Sequence, residues 1–107
     1  MSLDIWLEEE CVSVVYDGNY THNVTSMAAE AGIYKYLWRH GESGVVLAAA
    51  LVDPLQQAIA YMEREPERFT ALNPENGWGS YATFLPWLKG LLSACVDHPC
   101  ARVRAST

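Results

Sequence analysis

The sequence predicts an α+β fold: a small single domain, residues 1–107, whose terminal strands pair in a small antiparallel sheet packed against three to four helices. Three observations carry this. β-branched and aromatic residues cluster near both ends, over Ile5–Tyr16 and in "ARVRAS" at 101–106. Between them, apolar residues recur at helical spacing. The 107 residues, half of them apolar, suffice for one core and leave little room for a second.

The first segment reads as a strand whose alternation changes parity. Ile5 and Leu7 fall on one side, and Val12, Val14 and Tyr16 on the other. One extra residue swaps the faces of a strand, so a bulge or break is expected near Glu8–Glu10. The three glutamates read as solvated charge that protects an edge. Asp17-Gly18-Asn19 supplies turn residues. Met27, Ala31, Tyr34 and Trp38 then mark one face of a helix. Thr25 or Ser26, or else Asn23, would cap its start. Gly32 inside it costs roughly 1 kcal/mol relative to Ala, and "HGESG" at 40–44 closes it.

Leu51, Leu55, Ala58, Ile59 and Met62 mark a second helix, from about Leu47 to Arg64, which starts either near Ala48, the preferred reading, or at Pro54 with Asp53 as its cap. It should be irregular before Pro54, because proline lacks a donor and crowds the preceding turn. "EPERFTAL" at 65–72 predicts a short further helix with Pro66 at its tolerated first position. In the last helix Tyr81, Phe84, Leu85, Leu88, Leu91, Leu92 and Cys95 form a stripe. Ser80 is its expected N-cap, with Gly79 or Asn76 as the alternatives if the helix begins earlier; Pro86 should bend its first half, and Gly90 loosens its middle.

Bulk chemistry excludes several classes. Thirteen acids against seven bases give a formal charge of −6, which repels a phosphate backbone, so no nucleic-acid partner is expected. The longest apolar run, "GVVLAAALV" at 44–52, is under half of a bilayer span, so no membrane association is expected. The start lacks a basic, then apolar, secretory pattern. With three cysteines (Cys11, Cys95, Cys100), an odd number, reduced thiols in the cytoplasm are the expected state. The two glycosylation sequons at Asn19 and Asn23 are then accidental. No Walker lysine and no dinucleotide glycine spacing occur, so no cofactor is expected.

Two polar clusters stand out: "NYTHN" at 19–23 and "NPENGWGSY" at 73–81. His22 has the versatile chemistry of an imidazole. A structural hydrogen bond at the strand-to-helix turn is the leading reading, ahead of a binding role and of metal or catalysis. His40 and His98 read as helix C-terminal caps. A zinc site would have to recruit the cysteines, and Cys95-x4-Cys100 lacks the usual close spacing. Cys95 lies on the apolar stripe and reads as a buried small hydrophobe. Thr21 or Ser26 with His22 and Asp17 could be drawn as a hydrolase triad, but no elbow motif supports it. Glu63, Glu65 and Glu67 read as solvated charge. In the second cluster, turn chemistry explains Asn-Pro and Asn-Gly. Trp78, between two glycines, is left to plug the core or to line a shallow groove with Trp38 and Tyr81, and core packing is favoured.

Together, "NYTHNVTSMAAEAGIYKYLWR" and "FTALNPENGWGSYATFLPWLKGLLSAC" resemble a small uncharacterised family of bacterial and phage-associated proteins. Its members share N-x-T-H-N and N-P-x-N-G-W-G-x-Y motifs, and the likeness covers about Val14 to Val103. The sequence departs from that pattern at His40, where the family more often continues W-R-P, at Pro86, and at its end, which lacks V-S-V-S-R. The resemblance implies an α+β single domain and assigns no activity.

Two function classes follow. One is a non-enzymatic binding or assembly module that uses an aromatic and amide surface of Asn19, His22, Asn23, Asn76, Trp78 and Tyr81. Its partner would be a second copy in a twofold dimer, another protein or a small molecule. The other is a small enzyme or ligand receptor with His22 as acid, base or ligand. Both rest on the two clusters meeting in space.

Overall fold

The computed structural model describes residues 2–9 and 13–107. Strand β1 (Ser2–Glu9) pairs antiparallel with both β2 (Ser13–Thr21) and β3 (Arg102–Ser106), giving the order β2-β1-β3. The two chain ends therefore do pair. The segment Ile5–Tyr16, expected as one strand, is instead two strands of an antiparallel pair. A bulge is present, but its extra residue lies in β2 and not near Glu8–Glu10 as expected: Leu7 faces Tyr16 and Glu8 faces Val14, which leaves Val15 as the extra residue. The part of that region at Glu10, Cys11 and Val12 lies outside the described residues.

Leu3, Ile5 and Leu7 of β1 and Val103 of β3 are buried on the inner face of the sheet. Ser2, Asp4, Trp6 and Glu8 alternate onto the other face. Because β1 is central, Glu8 does not guard an edge. Its carboxylate accepts from the Trp6 indole at 3.0 Å and from Arg104 Nε at 3.1 Å. Those two bonds, Trp6 first, hold its pKa below the usual carboxylate value. Asp17-Gly18-Asn19, expected as a turn, lies within β2. A Cβ at Gly18 would stand 3.1 Å from the Tyr16 hydroxyl and 3.3 Å from the Trp87 ring. The glycine thus makes room for Trp87 rather than bending the chain.

After a 3-10 turn at His22–Val24, the helix expected from Met27 to Trp38 is broken in two: α1 (Thr25–Ala31) and α2 (Tyr34–Leu37). Gly32 at φ +83° ends α1. The Ile33 N–H donates to Ala28 O at 3.0 Å and the Gly32 N–H to Ala29 O at 3.1 Å, the paired bonds of a Schellman stop. Helix α3 (Ala48–Arg64) runs continuously through Pro54. Its first N–H groups, on Ala48 and Ala49, donate to Ala101 O and Pro99 O at 2.8 and 2.9 Å, which ties the helix to the chain entering β3.

Helix α4 (Pro66–Thr70) starts on its proline as expected, and α5 (Tyr81–Asp97) starts on Ser80, whose hydroxyl accepts from the Thr83 N–H. The buried faces Leu51, Leu55, Ala58, Ile59, Met62 of α3 and Phe84, Leu88, Leu91, Cys95 of α5 meet in one core beneath the sheet. No helix of the described residues is long and apolar enough to cross a membrane.

Candidate functional site

The end of β2 and the loop 73–80 are brought together at one corner. The docking is physical and specific. Tyr20, at the end of β2, packs its ring on Phe84 and Trp87 with centroids 5.2 and 5.5 Å apart. Its hydroxyl accepts from the Ser80 N–H at 3.3 Å and is hydrogen-bonded to the Thr83 hydroxyl. Gly79 lies against the same segment: a Cβ there would stand 2.8 Å from Thr21 Cγ2 and 3.0 Å from Val24 Cγ1. Its φ of +89° is in the left-handed region, so both backbone and space call for glycine.

The loop is shaped by its own asparagines. Asn73 Oδ1 accepts from the Tyr81 N–H at 2.7 Å, and Asn76 Oδ1 accepts from the Trp78 N–H at 2.9 Å. The second is an Asx turn, the side chain standing in for a backbone carbonyl. With Gly77 at φ +77° and Gly79 packed inward, Trp78 is turned out to solvent and is 70 % exposed. The expectation that it plugs the core is overturned.

On the other side of the corner, Thr21 caps the 3-10 turn, its hydroxyl accepting from the Asn23 N–H at 3.3 Å. Helix α1, whose cap was expected at Thr25, Ser26 or Asn23, instead starts after Val24 and has no side-chain cap. His22 makes the structural hydrogen bond expected of it, to the side chain of Trp38: the indole N–H donates to His22 Nδ1 at 2.6 Å. An indole can only donate, so Nδ1 is the acceptor, and the neutral ring carries its proton on Nε2. Trp38, only 6 % exposed, stacks on Tyr34 and tilts against Phe84. It belongs to the core and does not share a groove with Trp78.

Asn19, His22, Asn23, Asn76 and Trp78, five of the six candidate residues, line one open depression of about 630 Å³ together with Ser2 and Thr21. Tyr81 does not join them. Its hydroxyl donates to Met62 O at 2.9 Å and its ring lies by Phe69, where it seats α5 on α3 and α4. Among the described residues, none of the lining side chains is acidic, and none is Lys or Arg. Asp4, exposed and outside the lining, accepts from the Asn19 amide at 2.7 Å, while the same amide nitrogen donates to Ser2 Oγ at 2.8 Å.

Other candidate chemistry disperses. Among the described residues, Thr21, Ser26, His22 and Asp17 form no mutual side-chain hydrogen bonds. No three His, Cys, Asp or Glu side chains gather as a metal site among the described residues. Cys95 is buried, and that burial pushes its thiol up to about 12, which keeps it protonated and inert. Cys100 is exposed, and Cys11 lies outside the described residues. His98 is the C-cap of α5, where its Nδ1 lies 3.3 Å from Glu9. His40 instead opens a second 3-10 turn, His40–Glu42. Glu63 pairs with Lys89, and Glu65 with Arg68, on the exposed surface.

Sequence reasoning missed Trp38 as the partner in the His22 hydrogen bond, and the Tyr20 hydroxyl as the peg that seats Ser80. A buried indole N–H needs an acceptor, and that requirement was the available signal for the first. No family model, curated protein or solved structure matches the chain.

Proposed function

We propose that the protein is a non-enzymatic binding or assembly module that meets its ligand or partner at the depression between the two motifs. Trp78 carries this reading. A tryptophan 70 % exposed, held outward by a two-glycine loop and an Asx turn, contributes nothing to the core and is preorganised for contact. Around it, Asn23 and Asn76 keep amide groups without side-chain partners among the described residues. The alternative, His22 as a general base, gains no support, because the lone pair on Nδ1 is already taken by Trp38. A cytoplasmic setting is part of the proposal and is supported by the free thiols of Cys95 and Cys100.

The test compares wild type with Trp78→Ala. Screening a library of small molecules by thermal shift should find compounds that raise the melting temperature of wild type and not of the variant. Light scattering on both proteins reads the assembly form of the proposal: a dimer in wild type and a monomer in Trp78→Ala. Wild type and variant behaving alike in both measurements would remove the proposal.

A further inference from the structure

Resting on that reading of the depression, we infer the chemical class of its ligand: a neutral carbohydrate, held with one apolar sugar face on Trp78 and its hydroxyls on the surrounding amides and imidazole. Charge comes first. A phosphate, carboxylate or ammonium needs a partner of opposite sign. Among the described residues no acidic side chain and no Lys or Arg lines the depression, and the chain as a whole carries −6, which further disfavours anions. The ligand is therefore uncharged and must be recognised by neutral hydrogen bonds.

The inventory of free groups comes second. His22 presents an Nε2–H donor, because Nδ1 is spent on Trp38. Asn76 has its oxygen committed to the Trp78 N–H, which leaves its NH2 as donor. Asn19 has its nitrogen committed to Ser2 and Asp4, which leaves its oxygen as acceptor. Asn23 has both ends of its amide free among the described residues. The lining thus offers donors and acceptors together. A run of adjacent hydroxyls, each able to donate and to accept, satisfies such a set, whereas an apolar ligand would strand it.

The aromatic wall comes third, and it separates a sugar from a flat heterocycle. A nucleobase or other planar ring has two apolar faces and is best held in a slot between two walls. Here the second tryptophan of the corner, Trp38, is buried, and Trp78 alone faces the depression. A pyranose has one face of C–H groups and a polar perimeter, so a single platform with a polar rim matches it. The Asx turn and the glycine geometry fix that platform before binding and reduce the ordering cost. An open, wet depression of this kind predicts weak binding, with a dissociation constant on the order of 1 mM for one trisaccharide.

The experiment uses the full chain, ¹⁵N-labelled, titrated separately with maltotriose, cellotriose and tri-N-acetylchitotriose. Adenosine serves as the planar neutral control. The same protein is also applied to a printed array of neutral glycans. The expected result is saturable movement of the Trp78 indole N–H and of the Asn23 and Asn76 side-chain amides with at least one neutral glycan. Binding should weaken at least tenfold in Trp78→Ala and be retained in part in Trp78→Phe, with the remaining spectrum of each variant confirming its fold. Adenosine moving those signals while every glycan leaves them still overturns the carbohydrate class and leaves the binding surface standing. No glycan retained on the array and no movement of those signals with any probe overturns the carbohydrate class outright. If Trp78→Ala also matches wild type in screen and scattering, the surface reading falls with it.

Discussion

Trp38 and Trp78 stand at the same corner of the molecule and end in opposite states. Trp38, 6 % exposed, is stacked on Tyr34 and spends its indole N–H on His22. Trp78, 70 % exposed, is gripped only through its backbone. The same division runs through the neighbouring residues. Tyr20, Thr21, Gly79 and Ser80 form a floor in which polar groups are paired and spaces are closed. Asn23, Asn76 and Trp78 form a rim whose side chains are largely unspent. A polar cluster in a sequence therefore mixes two jobs, and what separates them is whether each hydrogen-bonding group finds a partner inside the chain.

The sharpest way to break this comparison is at the two loop glycines, which share a left-handed backbone but not a neighbourhood. Gly77 has φ +77° and nothing within 4 Å of a would-be Cβ, whereas Gly79 has φ +89° and meets Thr21 Cγ2 at 2.8 Å. Gly77→Ala should cost only the backbone term, roughly 1–2 kcal/mol. Gly79→Ala should add overpacking of the floor and cost about 3 kcal/mol or more in total. Urea unfolding midpoints at constant slope check it. Equal losses at the two positions would mean that the loop is not seated on β2 through Gly79.

The helices show how far periodicity reaches. The α3 and α5 stripes run along helices whose apolar faces bury, and the Ser80 cap is visible because a hydroxyl three residues before an exposed backbone N–H has one obvious use. Gly32 and Gly18 show why the rest was hidden. A glycine has no side chain to report its role: at 32 it terminates a helix through φ +83°, and at 18 it yields space to Trp87 from α5, a partner 69 positions away. Residue type alone suggested a turn at 17–19 and a helix weakened, but not ended, at 32. The candidate site was legible as two clusters, and five of its six residues do converge. Tyr81 was misassigned because it lies on the helical stripe, so its hydroxyl reaches Met62 O rather than the surface loop beside it in sequence. The fate of Trp78 was misjudged for a related reason. Size favours burial on average, but two positive-φ glycines around it decide which way it points.

A middle-sized effect is expected at Trp38→Phe. The aromatic packing is largely kept while the donor to His22 is lost, which leaves a half-buried acceptor unpaired at a cost of about 1–2 kcal/mol. The imidazole itself provides the more telling readout. In wild type the neutral His22 ring should be almost wholly the Nε2–H tautomer, seen in its ¹⁵N shifts. In Trp38→Phe the two tautomers should mix, because nothing then holds Nδ1 as acceptor. An unchanged tautomer pattern would show that something other than Trp38 orients the ring, and the donor assigned to the depression at Nε2 would lose its basis.

The smallest effect should come from the rim. Trp78→Ala and Asn23→Ala remove side chains that make no core contact and have no side-chain hydrogen-bond partner among the described residues, so each should change unfolding free energy by no more than about 0.5 kcal/mol. The Asx turn should survive at Trp78→Ala, since it uses the backbone N–H of residue 78 and not its ring. Asn76→Ala is the informative contrast: it removes the turn-forming acceptor and should cost about 1 kcal/mol. A loss above 2 kcal/mol at Trp78→Ala would place the indole in the folding core after all. A tryptophan that large and that exposed is available for contact, and the groups available for contact are those the fold does not consume.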